Sequence, residues 1–295
     1  MVTPEAIEAA FAPLVGQTLV VTLLAQALLR DRLAPAYLIH GPAGIGKRVV
    51  ARGLIQVLLG RPDNHPDLLW VSPTVKAKES GRLSFPQIRL EQVREIGPFV
   101  GRPPWQAPQS VVVIEDAQAM NEAAQDALLK TLEEPGRAVI ILLADQASAL
   151  LPTIRSRCQM LPCRRLSTAQ MTQVLTTLGQ TELLGRPDLL RLARGSPGVA
   201  LSHWQFWQAL PDDLVAALTQ GQMSVAEALD TGRRIAQDLD AETQVWLVDY
   251  LQRYAWDTRH QIPTLSILEK AHQALLAYCQ PRLVWEATLV ALTQQ

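Results

Sequence analysis

Gly41-Pro42-Ala43-Gly44-Ile45-Gly46-Lys47-Arg48 fits the pattern G-x-x-x-x-G-K, and its flanks decide what the pattern means. Before it, Ala36 to His40 is a short apolar run that reads as a buried strand. After it, Lys47 to about Leu59 reads as a helix, stopped by Gly60-Arg61-Pro62. Strand, glycine loop, helix is the context a phosphate-binding loop requires. The glycines Gly41, Gly44 and Gly46 let backbone N–H groups turn inward, the helix N-terminus favours an anion, and Lys47 adds a point charge.

Working outward, the same rhythm continues. Leu68 to Ser72 is a second strand candidate, Ile88 to Phe99 an amphipathic helix, and Ser110 to Ile114 a continuous β-branched strand. Asn121 to Glu134 reads as a helix ending before Pro135, and Val139 to Ala144 as another apolar strand. Strands separated by helices predict a parallel α/β sheet. Residues 16–30 add a helix on the N-terminal side. Past about Leu166 the strand signals vanish, and candidate helices run 168–178, 187–194, 197–208, 212–220, 224–238, 241–256, 263–279 and 281–292. Ser224 suits an N-cap and Pro281 a first helical position. Composition shifts predict three parts: an α/β domain at 1–166, a small helical lid at 167–210 and an all-α domain at 211–295.

The phosphate loop departs from its pattern in two places. The position after Lys47 should carry a hydroxyl for Mg²⁺, and Arg48 has five donors and no acceptor. The acidic pair at the end of the 110–114 strand is Glu115-Asp116, with the longer carboxylate where the shorter one is expected. Phosphate binding and a purely structural turn are both compatible with these residues; efficient hydrolysis is not.

The 295 residues are 48% apolar and 19% charged, which suits a large buried core and excludes a disordered chain. Net charge is −1, with 18 basic against 15 acidic residues up to 166 and 9 against 13 beyond, so no polyanion-coating protein is expected. Three cysteines form no disulfide framework and suit a reducing cytoplasm. No signal peptide or membrane-spanning run is expected. The five histidines show no ligand spacing. Trp204, Phe206 and Trp207 read as packing between domains, and Lys76, Lys78 and Arg82 as a loop able to touch a phosphate backbone.

Three further stretches carry a resemblance. Val111 to Ala117, Ala127-Leu128-Leu129-Lys130-Thr131-Leu132-Glu133-Glu134-Pro135, and Ile154-Arg155-Ser156-Arg157-Cys158 resemble the AAA+ subunits of DNA polymerase clamp loaders. His65-Pro66-Asp67, Ile88 to Arg94 and Gly195-Ser196-Pro197-Gly198 are similar as well. Roughly residues 10–205 share motifs; the C-terminal helices share only layout. The resemblance implies an AAA+ sheet domain, a helical lid and a helical collar that joins subunits into a ring. It implies partners: gamma/tau and delta subunits, the β sliding clamp, and primer-template DNA through the complex. In this family gamma/tau subunits hydrolyse ATP, whereas another branch has a degenerate site and presents the arginine of Ser-Arg-Cys to a neighbour's ATP.

The sequence is closer to the second branch. Arg157 matches the trans arginine, and Gly41, Gly44, Gly46, Lys47, Arg48, Glu115 and Asp116 would form a degenerate site for ATP or ADP. An arginine on a γ-phosphate stabilises transition-state charge by about 10³–10⁵ in rate. The family's four-cysteine zinc module is replaced by Leu59-Gly60-Arg61-Pro62-Asp63-Asn64, so zinc is not expected. Pro197, Gly198 and Val199 stand where active relatives sense nucleotide with an arginine, and Asp145-Gln146 stands in place of a small hydroxyl. The competing expectation is an autonomous ATPase of the gamma/tau type.

Overall fold

The computed structural model describes residues 2–61, 63–75, 86–219, 223–259 and 262–294. Lys76, Lys78, Arg82 and His260 lie outside the described residues. By internal contacts the chain divides into two compact units, Met1–Leu178 with Gly195–Gly198, and Gly179–Arg194 with Val199–Gln295.

The first unit begins with helices α1 (Pro4–Phe11) and α2 (Thr18–Leu29) and strand β1 (Ala36–His40). Helix α3 (Lys47–Leu59) leads to β2 (Leu68–Val71), and α4 (Leu90–Arg94) with α5 (Ile96–Gly101) to β3 (Ser110–Ile114). Helix α6 (Glu122–Glu133), β4 (Ala138–Ala144), α7 (Pro152–Arg155), β5 (Gln159–Pro162) and α8 (Thr168–Thr177) complete it. The five strands pair in parallel, in the order β2-β3-β4-β1-β5.

Alternation along each strand sorts the core into two layers. Leu38, Val112, Ile114, Ile140 and Leu142 pack with α4, α5 and α6 on one face. Tyr37, Ile39, Val111, Val113, Ile141 and Leu143 pack with α1, α2 and α3 on the other. A strand buried on both faces reads as a near-continuous apolar run, and β3 and β4 are buried throughout, with Ser110 their one polar residue. The sheet places the ends of β1, β3 and β4 side by side, the crevice where ligands of open α/β sheets bind.

Two elements differ from the sequence-based expectation. The amphipathic stretch from Ile88 is two short helices rather than one, because Pro98 has no N–H to bond the carbonyl of Arg94 and its ring crowds that turn. The short strand β5, not anticipated, pairs with β1 at the sheet edge.

The second unit is helical: α9 (Thr181–Leu184), α10 (Pro187–Ala193), α11 (Pro197–Gln208, from Val199 onward), α12 (Asp212–Thr219), α13 (Val225–Asp238), α14 (Ala241–Arg259), α15 (Ile262–Leu276) and α16 (Pro281–Thr293). Ser224 caps α13 in a reciprocal capping box with Glu227, and Pro281 opens α16. Trp285 is fully buried and donates to Gln244 Oε1 at 3.0 Å. Phe206 stacks on Trp246 at 5.5 Å and Trp207 tilts against Tyr250 at 5.4 Å, so these rings pack inside the second unit.

Candidate functional site

The loop after β1 needs its glycines. Gly41, Gly44 and Gly46 have φ of 153°, 67° and 103°, left-handed or wider values that side chains resist. A Cβ on Gly41 would lie 2.4 Å from the carbonyl oxygen of Cys163. Gly46 caps α3, so Lys47 and Arg48 are its first two residues. The N–H groups of Gly44 and Gly46 have no partner among the described residues, which leaves a cradle for an anion.

The cations of the loop are already engaged. The buried Lys47 ammonium donates to Gly41 O at 2.8 Å, Pro42 O at 3.0 Å and Asp145 Oδ1 at 2.6 Å. Asp145 follows β4, so sheet register alone brings it to the loop. Arg48 Nη2 lies 3.1 Å from Glu115 Oε2, and its guanidinium sits 5.2 Å from the centroid of the Trp70 ring. Glu115 still belongs to the ladder, its N–H bonded to Val71 O, which aims its carboxylate toward β2. There Trp70 Nε1 donates at 3.1 Å and Ser72 Oγ at 3.2 Å to the same oxygen that meets Arg48.

Asp116 turns away through a left-handed φ of 48° and receives Gln118 Nε2 at 3.3 Å. Burial, then the carboxylates of Glu115 and Asp145, raise its pKa above the ordinary value, against the pull of Gln118 and Lys47. Burial, with Lys47 in support, lowers that of His40 at the end of β1. Two loop carbonyls face the 195–198 turn: Ser196 Oγ donates to Ala43 O and Gly198 N to Gly44 O, both at 2.8 Å. A Cβ on Gly198 would approach Gly44 Cα to 2.8 Å.

Tested against ATP and Mg²⁺, the site divides. The backbone cradle and Lys47 fit a phosphate. The metal side does not fit, since a guanidinium stands on the carboxylate that would face the ion and no hydroxyl is offered at position 48. Among the described residues no group of three or more His, Cys, Asp or Glu side chains could hold a metal.

Arg157 is elsewhere in the first unit. It lies exposed just after α7, donating Nη2 to Glu133 Oε1 at 2.6 Å and Nη1 to Thr153 O at 3.0 Å. The structure therefore pairs Lys47 with Asp145 and Arg48 with Glu115 around the loop, and gives Arg157 a network of its own. Trp70, Ser72, Gln118 and Glu133 complete these networks and were not singled out by sequence. Only Glu133 carried a signal, as part of the Ala127–Pro135 run.

Sheet order, phosphate loop and helical additions define an AAA+ module. The fold resembles that of a DNA polymerase III gamma subunit-related protein from Thermotoga maritima, with a TM-score of 0.58 at 19% identity over 92% of this chain and 98% of that one. Residues 60–167 match the family described as DNA polymerase III, delta subunit, and residues 169–292 the family described as cyanobacterial DNA polymerase III delta prime, C-terminal domain. The DNA polymerase III subunit delta' of Pseudomonas aeruginosa is 37% identical over 188 residues, 57% of this chain and 55% of that protein. The tau/gamma subunit of Haemophilus influenzae is 32% identical over 203 residues, 64% of this chain and 29% of that protein. The matched segment thus spans about half the length of the delta' relative and under a third of the tau/gamma one. Between residues 60 and 292 the chain is thus similar to DNA polymerase III subunits of the delta and delta-prime type. No helix among the described residues is long and apolar enough to cross a membrane.

Proposed function

We propose that this chain is a largely non-hydrolysing member of a clamp-loader ring. It stands beside gamma/tau and delta subunits, presents Arg157 to the ATP of a neighbour, and with them loads the β sliding clamp onto primer-template DNA. The observation that carries this reading is the contrast between the two networks. On its own phosphate loop Arg48 stands on Glu115, where a metal would be needed, while Arg157 is exposed and free of that loop. A guanidinium with five donors can keep Thr153 O and still offer N–H groups to a phosphate outside the chain.

In this reading the residues Gly41, Gly44, Gly46 and Lys47 are a retained nucleotide cradle, and Arg48, Glu115 and Asp116 are its disabled half. The proposed division into an AAA+ domain to about 166, a lid to 210 and a collar to 295 assigns subunit contacts to the helices after Pro211. The test is ATP hydrolysis by the reconstituted ring. Arg157→Ala should lower its rate at saturating ATP while the ring still assembles by gel filtration, and an unchanged rate overturns the proposal. Turnover by the purified chain alone, abolished by Lys47→Ala, would establish the gamma/tau-type alternative instead.

A further inference from the structure

Glu133 is the last residue of α6, where the open carbonyls of a helix end disfavour a carboxylate. A glutamate there is electrostatically misplaced unless a cation meets it, and Arg157 does, with Nη2 2.6 Å from Oε1. The pair is exposed: the Arg157 side chain keeps 36% of its surface in water and that of Glu133 keeps 52%. Ion pairs of this kind add little to stability. Nor is this one needed to fasten α7 to α6. Leu128 and Leu132 of α6 share one buried cluster with Ile154 of α7. At the other end of the contact, buried Gln125 accepts the N–H of Leu151, at the head of α7, at 2.9 Å.

What the pair does fix is the guanidinium. A surface arginine samples many rotamers, and its planar fork is useful only in one orientation. Here Thr153 O accepts from Nη1 at 3.0 Å and Glu133 from Nη2, so both terminal nitrogens are held, one by α7 and one by α6. Two held nitrogens leave the fork little freedom to rotate; one would let it swing. Ser156 Oγ donates to the same Thr153 O at 3.0 Å, which ties down the turn that carries Arg157. Two of the five N–H groups are used in this way, and three stay open to an acceptor outside the chain.

We propose that Glu133 is a positioning residue for Arg157: it accepts from one guanidinium nitrogen and so presents the remaining N–H groups in a fixed direction to the γ-phosphate of a neighbouring subunit's ATP. An arginine ordered only as the phosphate reacts loses rotamer freedom in the transition state, and that loss slows the reaction. Held beforehand by Glu133, it loses that freedom when the chain folds. The opposite role is a carboxylate that competes with the phosphate and restrains the arginine. It fits less well, because one exposed carboxylate binds a guanidinium weakly beside a triphosphate, and the open N–H groups need not leave it. The inference rests on the clamp-loader reading for the phosphate and on the geometry of this chain for Glu133.

The test is steady-state ATP hydrolysis by the reconstituted ring. Glu133→Ala should lower kcat about three- to tenfold with KM unchanged, the range expected when one long side chain must be ordered in the transition state. Glu133→Gln keeps an acceptor at the same reach and should retain more of the rate; equal losses overturn the proposal. In a ring carrying Arg157→Ala, Glu133→Ala should change nothing further, a readout that a merely structural role would not give. An unchanged or raised kcat, or a fall of the same size without Arg157, overturns the proposal. Assembly by gel filtration and thermal melting of each variant should match the parent, because the pair is exposed. A ring whose ATPase ignores Arg157 removes the proposed function. A ring that depends on Arg157 and ignores Glu133 removes this inference alone.

Discussion

Replacing Asp67 by Ala tests how the 105–107 loop is held. The substitution removes one buried carboxylate and leaves three backbone N–H groups without their acceptor. Hydrogen bonds to a charged group contribute about 1.5–3 kcal/mol each, so three intact bonds bound the loss at roughly 4.5 kcal/mol or more. Trp105 and Gln106 are exposed, and water can reach their N–H groups once the loop relaxes. Discounting those two by about half leaves an expected loss of about 3 kcal/mol at pH 7. The pH dependence has a definite sign. Burial alone would raise the Asp67 pKa, but the three N–H donors and His65 together hold it below its ordinary value. A lowered folded value means stability that is present above the unfolded pKa and lost as pH falls through the folded one. The gap between parent and Asp67→Ala in urea midpoint should therefore be full at pH 7 and close only below about pH 4. A gap under about 1 kcal/mol at pH 7, or one that does not narrow in acid, refutes this account of the loop.

Two further outcomes follow from the site and the second unit. The parent chain should bind ATP with the same affinity in Mg²⁺ and in EDTA, and Arg48→Thr should introduce a dependence on Mg²⁺, by adding a hydroxyl ligand and releasing Glu115; calorimetric titration reads both, and a strong Mg²⁺ requirement in the parent contradicts the reasoning. Gly232→Ala places a Cβ 2.8 Å from Glu286 N and 3.0 Å from Glu286 Cα, so α13 and α16 must part, and thermal stability should fall by about 1–3 kcal/mol, whereas an open helical site would gain about 1 kcal/mol from the same change.

What could be read from the sequence had a local cause. Val111–Ile114 and Val139–Ala144 are apolar throughout because both faces are covered, and the glycine loop is recognisable because its backbone angles admit little else. Pro98 could have split the 88–99 helix on paper, but the apolar spacing of Ile88, Val93 and Ile96 outweighed it. Strand β5 has only Gln159-Met160-Leu161-Pro162 and exists through its register with β1, which no local pattern encodes. The same holds for the site. Arg48 was visibly the wrong chemistry for a metal. Its placement on Glu115 and Trp70 needed the pairing of β2 with β3, since Trp70 and Glu115 are 45 positions apart. Trp105 carried no signal, because nothing in Pro103-Pro104-Trp105 says that a distant Asp67 fixes it.

In a parallel sheet the two edges are chemically distinct, and here they have taken opposite characters. At the C-terminal edge, Lys47 is neutralised by Asp145 and Arg48 by Glu115, so the loop's cations face internal anions and an incoming phosphate must compete with them. At the N-terminal edge, Lys130 and Arg137 remain uncompensated beside an exposed tryptophan on a rigid loop. The near-zero net charge of the chain conceals this polarity. Unspent charge attracts a partner only where it is not already paired. Lys47→Ala and Arg157→Ala, assayed in one ring, separate the chain's own phosphate loop from the contact proposed for Arg157.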